Sequence, residues 1–366
     1  MLNRRQFLKN AAYVSAGLPV LRGTALTAHS SQSADPGKLP EVTVGGRHVK
    51  TVDMHAHCFV PDVLEIIKGA DFAPSVQAFL APSNPMHVTI GPERVQKMDQ
   101  ERIDMQVLSI NPFWYSADRD LASRIIDLQN AKLAEMCSLY PGRFAALASV
   151  ALQYPDLAAQ QLEDGIKHMG MHGCAIGGSV AGEELSAPKF DVFWAKAEEL
   201  QSLVFLHPQP VPTIQSRAAG NGVLNNVIGN PLETTIALSH LIFEGTLDRY
   251  PELKICAAHG GGYLPSYSAR MDHGCLVFPE QCKGKTIKKE PSEYLKQLYF
   301  DSLVFTPEAL RHLVAVCGAS QIVVGTDYPY PWTDSPVDHV FATPGLSDTD
   351  RTAILGLTAA KLLKLS

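Results

Sequence analysis

The sequence has no Cys-x-x-Cys pair, no Gly-x-Ser-x-Gly turn, no glycine-rich phosphate loop behind its first candidate strand, and no apolar stretch long enough to span a bilayer. These absences argue in turn against a paired-thiolate motif, a serine hydrolase, a doubly wound dinucleotide-binding sheet and a transmembrane anchor. Charge is also scarce: Asp, Glu, Lys and Arg make up 19% of the 366 residues, while 46% are hydrophobic. That balance excludes disorder and coiled coil and is enough for one large core or two modest ones. The net charge of -6 becomes -10 once residues 1–34 are set aside, because they carry Arg4, Arg5, Lys9 and Arg22 but no acid. A nucleic-acid partner is therefore not expected.

Seven cysteines, an odd number, cannot all pair within the chain and are expected as buried small hydrophobes. Cys275 and Cys282 lie close enough in sequence to cross-link in an oxidising compartment.

Residues 1–34 read as a leader. Asn3-Arg4-Arg5-Gln6-Phe7-Leu8-Lys9 places a twin-arginine pair before a weakly apolar run ending at Leu21, followed by small and polar residues. An amphipathic first helix is the plain alternative, but Gly17 and Pro19 interrupt it. The expectation is export to the periplasm, with no stable membrane span once the signal is removed.

Beyond the leader, short apolar or β-branched runs alternate with longer amphipathic ones, the pattern of βα units. Eight candidate strands fall at 49–54, 105–110, 144–150, 172–176, 203–207, 254–259, 298–301 and 321–326. Helical periodicity marks 118–140, 155–169, 191–200, 231–249 and 307–317. Residues 48–366 are thus read as an α/β fold of the (β/α)8 TIM-barrel type, with a doubly wound sheet as runner-up. Pro-, Gly- and Asn-rich connections at 59–92, 208–230 and 273–291 would wall the barrel mouth.

The chemistry gathers at strand ends. His55 and His57 close the first strand two residues apart, His207 closes the fifth, and Asp327 follows the eighth. Enzyme barrels react at that carboxyl face. Three imidazoles and a carboxylate suit one borderline-soft divalent ion, Zn²⁺, with a position left for water whose pKa would fall to about 7. A closed structural zinc site would favour cysteines close in sequence, and a two-metal site would want a bridging Lys or Glu where Gly177 and Gly178 stand.

His259, within Ala257-Ala258-His259-Gly260-Gly261-Gly262, is the candidate general base; a core histidine satisfied by backbone is its plain alternative. Arg270 on the stretch 263–272 is a candidate anion clamp or a solvated surface arginine. Asp301 could orient the metal shell. Phe113, Trp114 and Tyr115 could stack on an aromatic substrate or pack a rim.

From about Val52 to Leu363, the succession HxH, HP, AHGGG and GTDYPYP resembles amidohydrolase-related decarboxylases of the aminocarboxymuconate-semialdehyde type. Lys97-Met98-Asp99-Gln100, the run 231–237 and Tyr250-Pro251-Glu252-Leu253-Lys254 add to the likeness. The resemblance implies a metal-dependent barrel in which His55, His57, His207 and Asp327 hold zinc and His259 activates the metal-bound water. It also implies a homodimer in which Arg270 reaches the carboxylate of a substrate bound to the neighbouring subunit, a bidentate task suited to guanidinium. One departure is that 83–92 contains no arginine, only His87, where the family has a second substrate arginine. The expected activity is non-oxidative decarboxylation of a small unsaturated or aromatic acid. The alternatives are a hydrolase or hydratase on the same site, or a noncatalytic exported zinc-binding protein.

Overall fold

The computed structural model describes residues 41–79, 90–111, 113–282, 287–333 and 335–365. The leader and most of the 83–92 loop, His87 included, lie outside them.

Eight parallel strands form the centre: β1 Val52–His57, β2 Met105–Ser109, β3 Phe144–Ala146 continuing as Ala148–Ser149, β4 Gly173–Ile176, β5 Leu203–Leu206, β6 Lys254–Ala257, β7 Leu298–Asp301 and β8 Ile322–Val323. The first half of β3 pairs with β2, and its second half pairs with β4. From there the ladder runs through β5, β6 and β7 to β8. Asp53 and Ala56 of β1 then bridge Val324 and Tyr328 just beyond β8. The ring meets itself there through isolated bridges rather than a continued ladder, giving the TIM-barrel class that the alternation predicts.

Period-two alternation divides the strand residues between two apolar layers. Val107, Ala145, Leu203, Phe205, Cys256 and Val323 belong to a small cluster that the last helix, through Leu362, closes from one end. Their neighbours Leu108, Ala146, Val204, Ile255 and Ile322 join the larger cluster, which includes Ile125, Leu162, Leu241 and Leu310 of the surrounding helices. The small cluster fills the barrel, and the large one glues helices to its outside. His207, two residues beyond Phe205, continues the inward-facing row to the barrel's carboxyl end.

Helix boundaries follow local chemistry. Asp118 accepts a hydrogen bond from Leu121 N at 2.9 Å and starts Arg119–Ser138, and Pro155 occupies the first turn of Pro155–His168. The expected helix 231–249 is two helices, Asn230–Phe243 and Thr246–Arg249, divided where Gly245 adopts φ +74°. The helix after β6 is longer than expected, Leu264–Val277, and takes up part of the predicted 273–291 connection. Among the described residues no helix is long and apolar enough to cross a membrane.

Pro92–Gln100 is a helix that periodicity did not single out, and it carries the fully buried Arg94. Arg94 Nε donates to Gln106 Oε1 at 2.8 Å, Nη1 donates to the His57 carbonyl at 2.7 Å, and the guanidinium stands 4.5 Å over the Tyr328 ring. One outer side chain therefore ties the ends of β1 and β2 to the segment after β8. Arg94→Met keeps the apolar length but leaves two buried acceptors unmet, at about 1–3 kcal/mol each. A lower midpoint in denaturant unfolding is expected; an unchanged midpoint would show that the network adds no stability.

Candidate metal centre

His55 and His57 do not sit on a plain strand. Asp53 lies opposite Gln106 but Ala56 lies opposite Leu108, so three steps on β1 match two on β2. This bulge changes the phase of the strand and re-aims its last side chains. Asp53 fixes it in place: Oδ1 accepts from His55 N and Thr326 N, each at 3.1 Å, and Oδ2 accepts from Thr326 Oγ1 at 2.7 Å and Gln106 Nε2 at 3.0 Å. Gly325 allows the close approach beside it, since a Cβ there would lie 2.7 Å from Asp301 Cβ and 3.0 Å from His55 Cβ.

Four imidazoles and one carboxylate converge. Asp327 Oδ1 lies 3.2 Å from His55 Nε2 and 2.9 Å from His57 Nε2, and those two nitrogens are 3.1 Å apart. The His207 ring centre is 5.1 Å from that of His55 and 4.7 Å from that of His57. His259 Nε2 lies 3.7 Å from Asp327 Oδ2. Ligand atoms of His55, His207, His259 and Asp327 all fall within 4.8 Å of one another, a spacing able to hold a divalent metal ion. His259 and Asp327 both adopt positive φ, +56° and +58°, a costly conformation for residues with a Cβ that concentrates at functional sites.

The outer nitrogens divide the histidines. His55 Nδ1 donates to Asp301 Oδ2 at 2.6 Å. His57 Nδ1 faces Ser109 Oγ at 2.9 Å, and that hydroxyl is directed toward the Ala56 carbonyl, so the ring donates. His207 Nδ1 is 2.8 Å from the Pro208 carbonyl, which can only accept. Each of the three therefore turns Nε2 inward. His259 Nδ1, by contrast, is buried with no partner among the described residues, so this ring lacks the outer hydrogen bond that ligating imidazoles have. Among the described residues, buried His207 Nε2 also has no hydrogen-bond donor. Inward lone pairs around a carboxylate fit a cation.

Electrostatics agree. Burial disfavours charge on His55, yet Asp327 and Asp301 override it and raise its pKa to about 10. Burial and the neighbouring imidazoles hold His207 well below the usual histidine range, and burial likewise lowers His57. Burial would raise Asp327, but the facing imidazoles hold its carboxyl well below the ordinary range.

Asp301 is the chief outer support. Besides His55, it accepts from His259 N and Gly260 N at 2.8 Å each and from Leu303 N at 3.1 Å. Asp301→Asn is expected to weaken divalent-metal affinity by about 10–100-fold in chelator competition. Unaltered affinity would remove Asp301 from the centre.

The other expected site residues separate. Trp114, at φ +62°, is turned into the core, where Nε1 donates to Gln129 Oε1 at 3.1 Å and its ring faces Phe72. It does not line the cavity, which corrects its expected place against a substrate. Its neighbour Phe113, stacked on Tyr115, does line a cavity of about 450 Å³ that opens on His207 and Asp327. A second hollow, with Val304, Phe305 and Trp332, reaches His259. Arg270 is exposed on Leu264–Val277 and lines neither hollow. Sequence reasoning gave no role to Ser109, Arg94 or Asn111, because a lone Ser, Arg or Asn at a strand end or on a helix carries no spacing signal.

A 2-amino-3-carboxymuconate-6-semialdehyde decarboxylase of Dictyostelium discoideum is 33% identical over 275 residues, covering 74% of this chain and 76% of its own. The solved 5-carboxyvanillate decarboxylase of Sphingomonas paucimobilis superposes with a TM-score of 0.79 at 22% identity, covering 87% of this chain and all of its own, a likeness of fold. A dihydroxybenzoic acid decarboxylase from a Polaromonas species, solved with manganese and 2-nitroresorcinol, gives 0.74 at 26% identity over 87% of this chain and 97% of its own. The sequence profile of the amidohydrolase family matches residues 52–365, nearly the whole of the barrel just described, and the chain belongs to that family of enzymes.

Proposed function

We propose that this enzyme is a metal-dependent, non-oxidative decarboxylase of a small aromatic or unsaturated carboxylic acid. The observation that carries the reading is the inward convergence of His55, His57 and His207, each fixed by an outer hydrogen bond, on Asp327 beside a largely apolar cavity. These four residues would hold one divalent ion, which when bound would polarise water or a substrate oxygen. Three nitrogens and one carboxylate favour zinc, while the Polaromonas relative holds manganese.

His259, adjacent to Asp327 but without an outer partner, would take and return a proton as general base. In the overall reaction the bond from ring or chain carbon to carboxylate breaks, carbon dioxide leaves, and a proton replaces it. No oxidant is consumed. Arg270 would serve a neighbouring subunit: it forms no ion pair among the described residues, and exposed Tyr267 and Leu276 on the same helix offer apolar surface for a homodimer. Metal analysis of the purified protein, with carbon dioxide detection across aromatic and muconate-like acids, tests the reading. A hydrolysed or hydrated product without carbon dioxide would replace it with the hydrolase or hydratase alternative.

Export through the twin-arginine route is proposed for 1–34, supported by the Arg4-Arg5 pair and by the Cys275–Cys282 disulfide, a bond that persists in oxidising compartments. Lysine at both Arg4 and Arg5 is expected to retain the protein in the cytoplasm at full length, measured by cell fractionation. Periplasmic recovery of that variant would exclude the route.

A further inference from the structure

His55 and His57 flank a bulge, and a strand that carries an extra residue can settle in more than one register unless its neighbours hold it. Two grips hold this one. On one side Asp53 Oδ1 accepts from His55 N, and on the other Arg94 Nη1 donates to the His57 carbonyl at 2.7 Å. Gln106 joins them: its Oε1 accepts from Arg94 Nε at 2.8 Å, and its Nε2 donates to Asp53 Oδ2 at 3.0 Å. All three side chains are fully buried, so water cannot take the place of a missing partner.

The Gln106 amide has one orientation. A guanidinium can only donate, which places the amide oxygen against Arg94 and leaves the NH2 group for the carboxylate. From Asp53 the chain continues to Thr326 Oγ1, which donates to Oδ2 at 2.7 Å and accepts from Tyr328 N at 3.1 Å, so it grips the backbone on both sides of Asp327. Asp327 N itself donates to the His55 carbonyl at 2.8 Å. Three candidate ligands, two on β1 and one after β8, therefore take their backbone positions from a single hydrogen-bonded chain that begins on the helix Pro92–Gln100.

We propose that Gln106 and Arg94 are positioning residues for the metal centre: through Asp53 and the bulge they aim His55, His57 and Asp327, and so set how tightly and in what geometry the ion is held. Neither lines the two hollows beside the centre, so they act only through the ligands. The inference rests on the metal-centre reading and is independent of the reaction assigned to it.

Gln106→Met keeps the length of the side chain and removes both of its hydrogen bonds. In the full-length protein, chelator competition should show divalent-metal affinity about 10–100-fold below wild type. The Co²⁺-loaded variant should also show visible absorption bands of altered position and intensity, because those bands report how the ligands are arranged around the ion. Combining Arg94→Met with Gln106→Met should cost little more affinity than the worse single change, since both act through one chain. Leu162→Ala, in the outer apolar layer, is the control: it should lower the unfolding midpoint and leave affinity and spectrum unchanged. Gln106→Asn, whose amide is too short to reach both partners, gives the same reading where the methionine variant does not fold. Wild-type affinity and spectrum in a folded Gln106 variant, additive losses in the double variant, or an equal loss in Leu162→Ala would overturn the proposal. A wild-type protein that binds no divalent ion removes the centre and the proposal with it, whereas tight wild-type binding with indifferent variants fails only the positioning.

Discussion

Asp327→Ala protein is expected to lose its divalent ion and to turn over at least about a thousandfold more slowly than wild type. Among the described residues Asp327 is the only carboxylate facing the inward nitrogens of His55 and His57, at 3.2 and 2.9 Å, and the imidazoles opposite hold it ionised. Removing it leaves three neutral donors to compensate a double positive charge inside a buried site, where solvent cannot substitute. Electrophilic stabilisation by a bound metal is worth several kcal/mol. At about 1.4 kcal/mol per tenfold in rate, its loss accounts for the expected fall. Asp327→Asn separates charge from shape, since it retains an oxygen at the same position; it should bind metal weakly and stay nearly inactive. Metal stoichiometry by elemental analysis, read beside kcat, checks both. An Asp327→Ala enzyme with a full complement of tightly held metal would remove the carboxylate from the ligand set.

His259→Ala is expected to behave differently, with metal retained and kcat lowered by about 100- to 10,000-fold, the usual range for loss of a general acid–base group. The two outcomes follow from the outer hydrogen bonds. His55, His57 and His207 are oriented by Asp301, Ser109 and Pro208, whereas His259 Nδ1 has no partner among the described residues and its positive φ brings Nε2 to 3.7 Å from Asp327 Oδ2. Distances alone would allow His259 to replace His57 as fourth ligand, because it too lies within 4.8 Å of the group formed with His55, His207 and Asp327. If metal leaves with the His259 imidazole, His259 is a ligand and the base must be sought elsewhere. A general-base role also predicts rate rescue by added imidazole without change in metal content.

The tryptophan beside the active cavity illustrates how far sequence proximity carries. Phe113, Trp114 and Tyr115 follow β2 as one aromatic run. The left-handed turn at Trp114 sends its ring into the core beside Gln129 and Phe72, while Phe113 remains on the cavity wall. Apolar character predicted that the run packs against something; only the backbone path decided which ring meets the cavity.

The sequence alone determined the strand–helix alternation and the positions of His55, His57, His207, His259 and Asp327 at strand ends, because period-two patterning and strand termini are local properties of the chain. Tertiary structure decided the rest. The β1 bulge held by Asp53, the brace from buried Arg94, the hydroxyl of Ser109 against His57 and the amide of Asn111 against His207 all join residues far apart along the chain. Their hydrogen bonds are set by strand register and by packing within the barrel. No spacing rule records them, since each partner is chosen by where the backbone arrives and not by its neighbours in sequence.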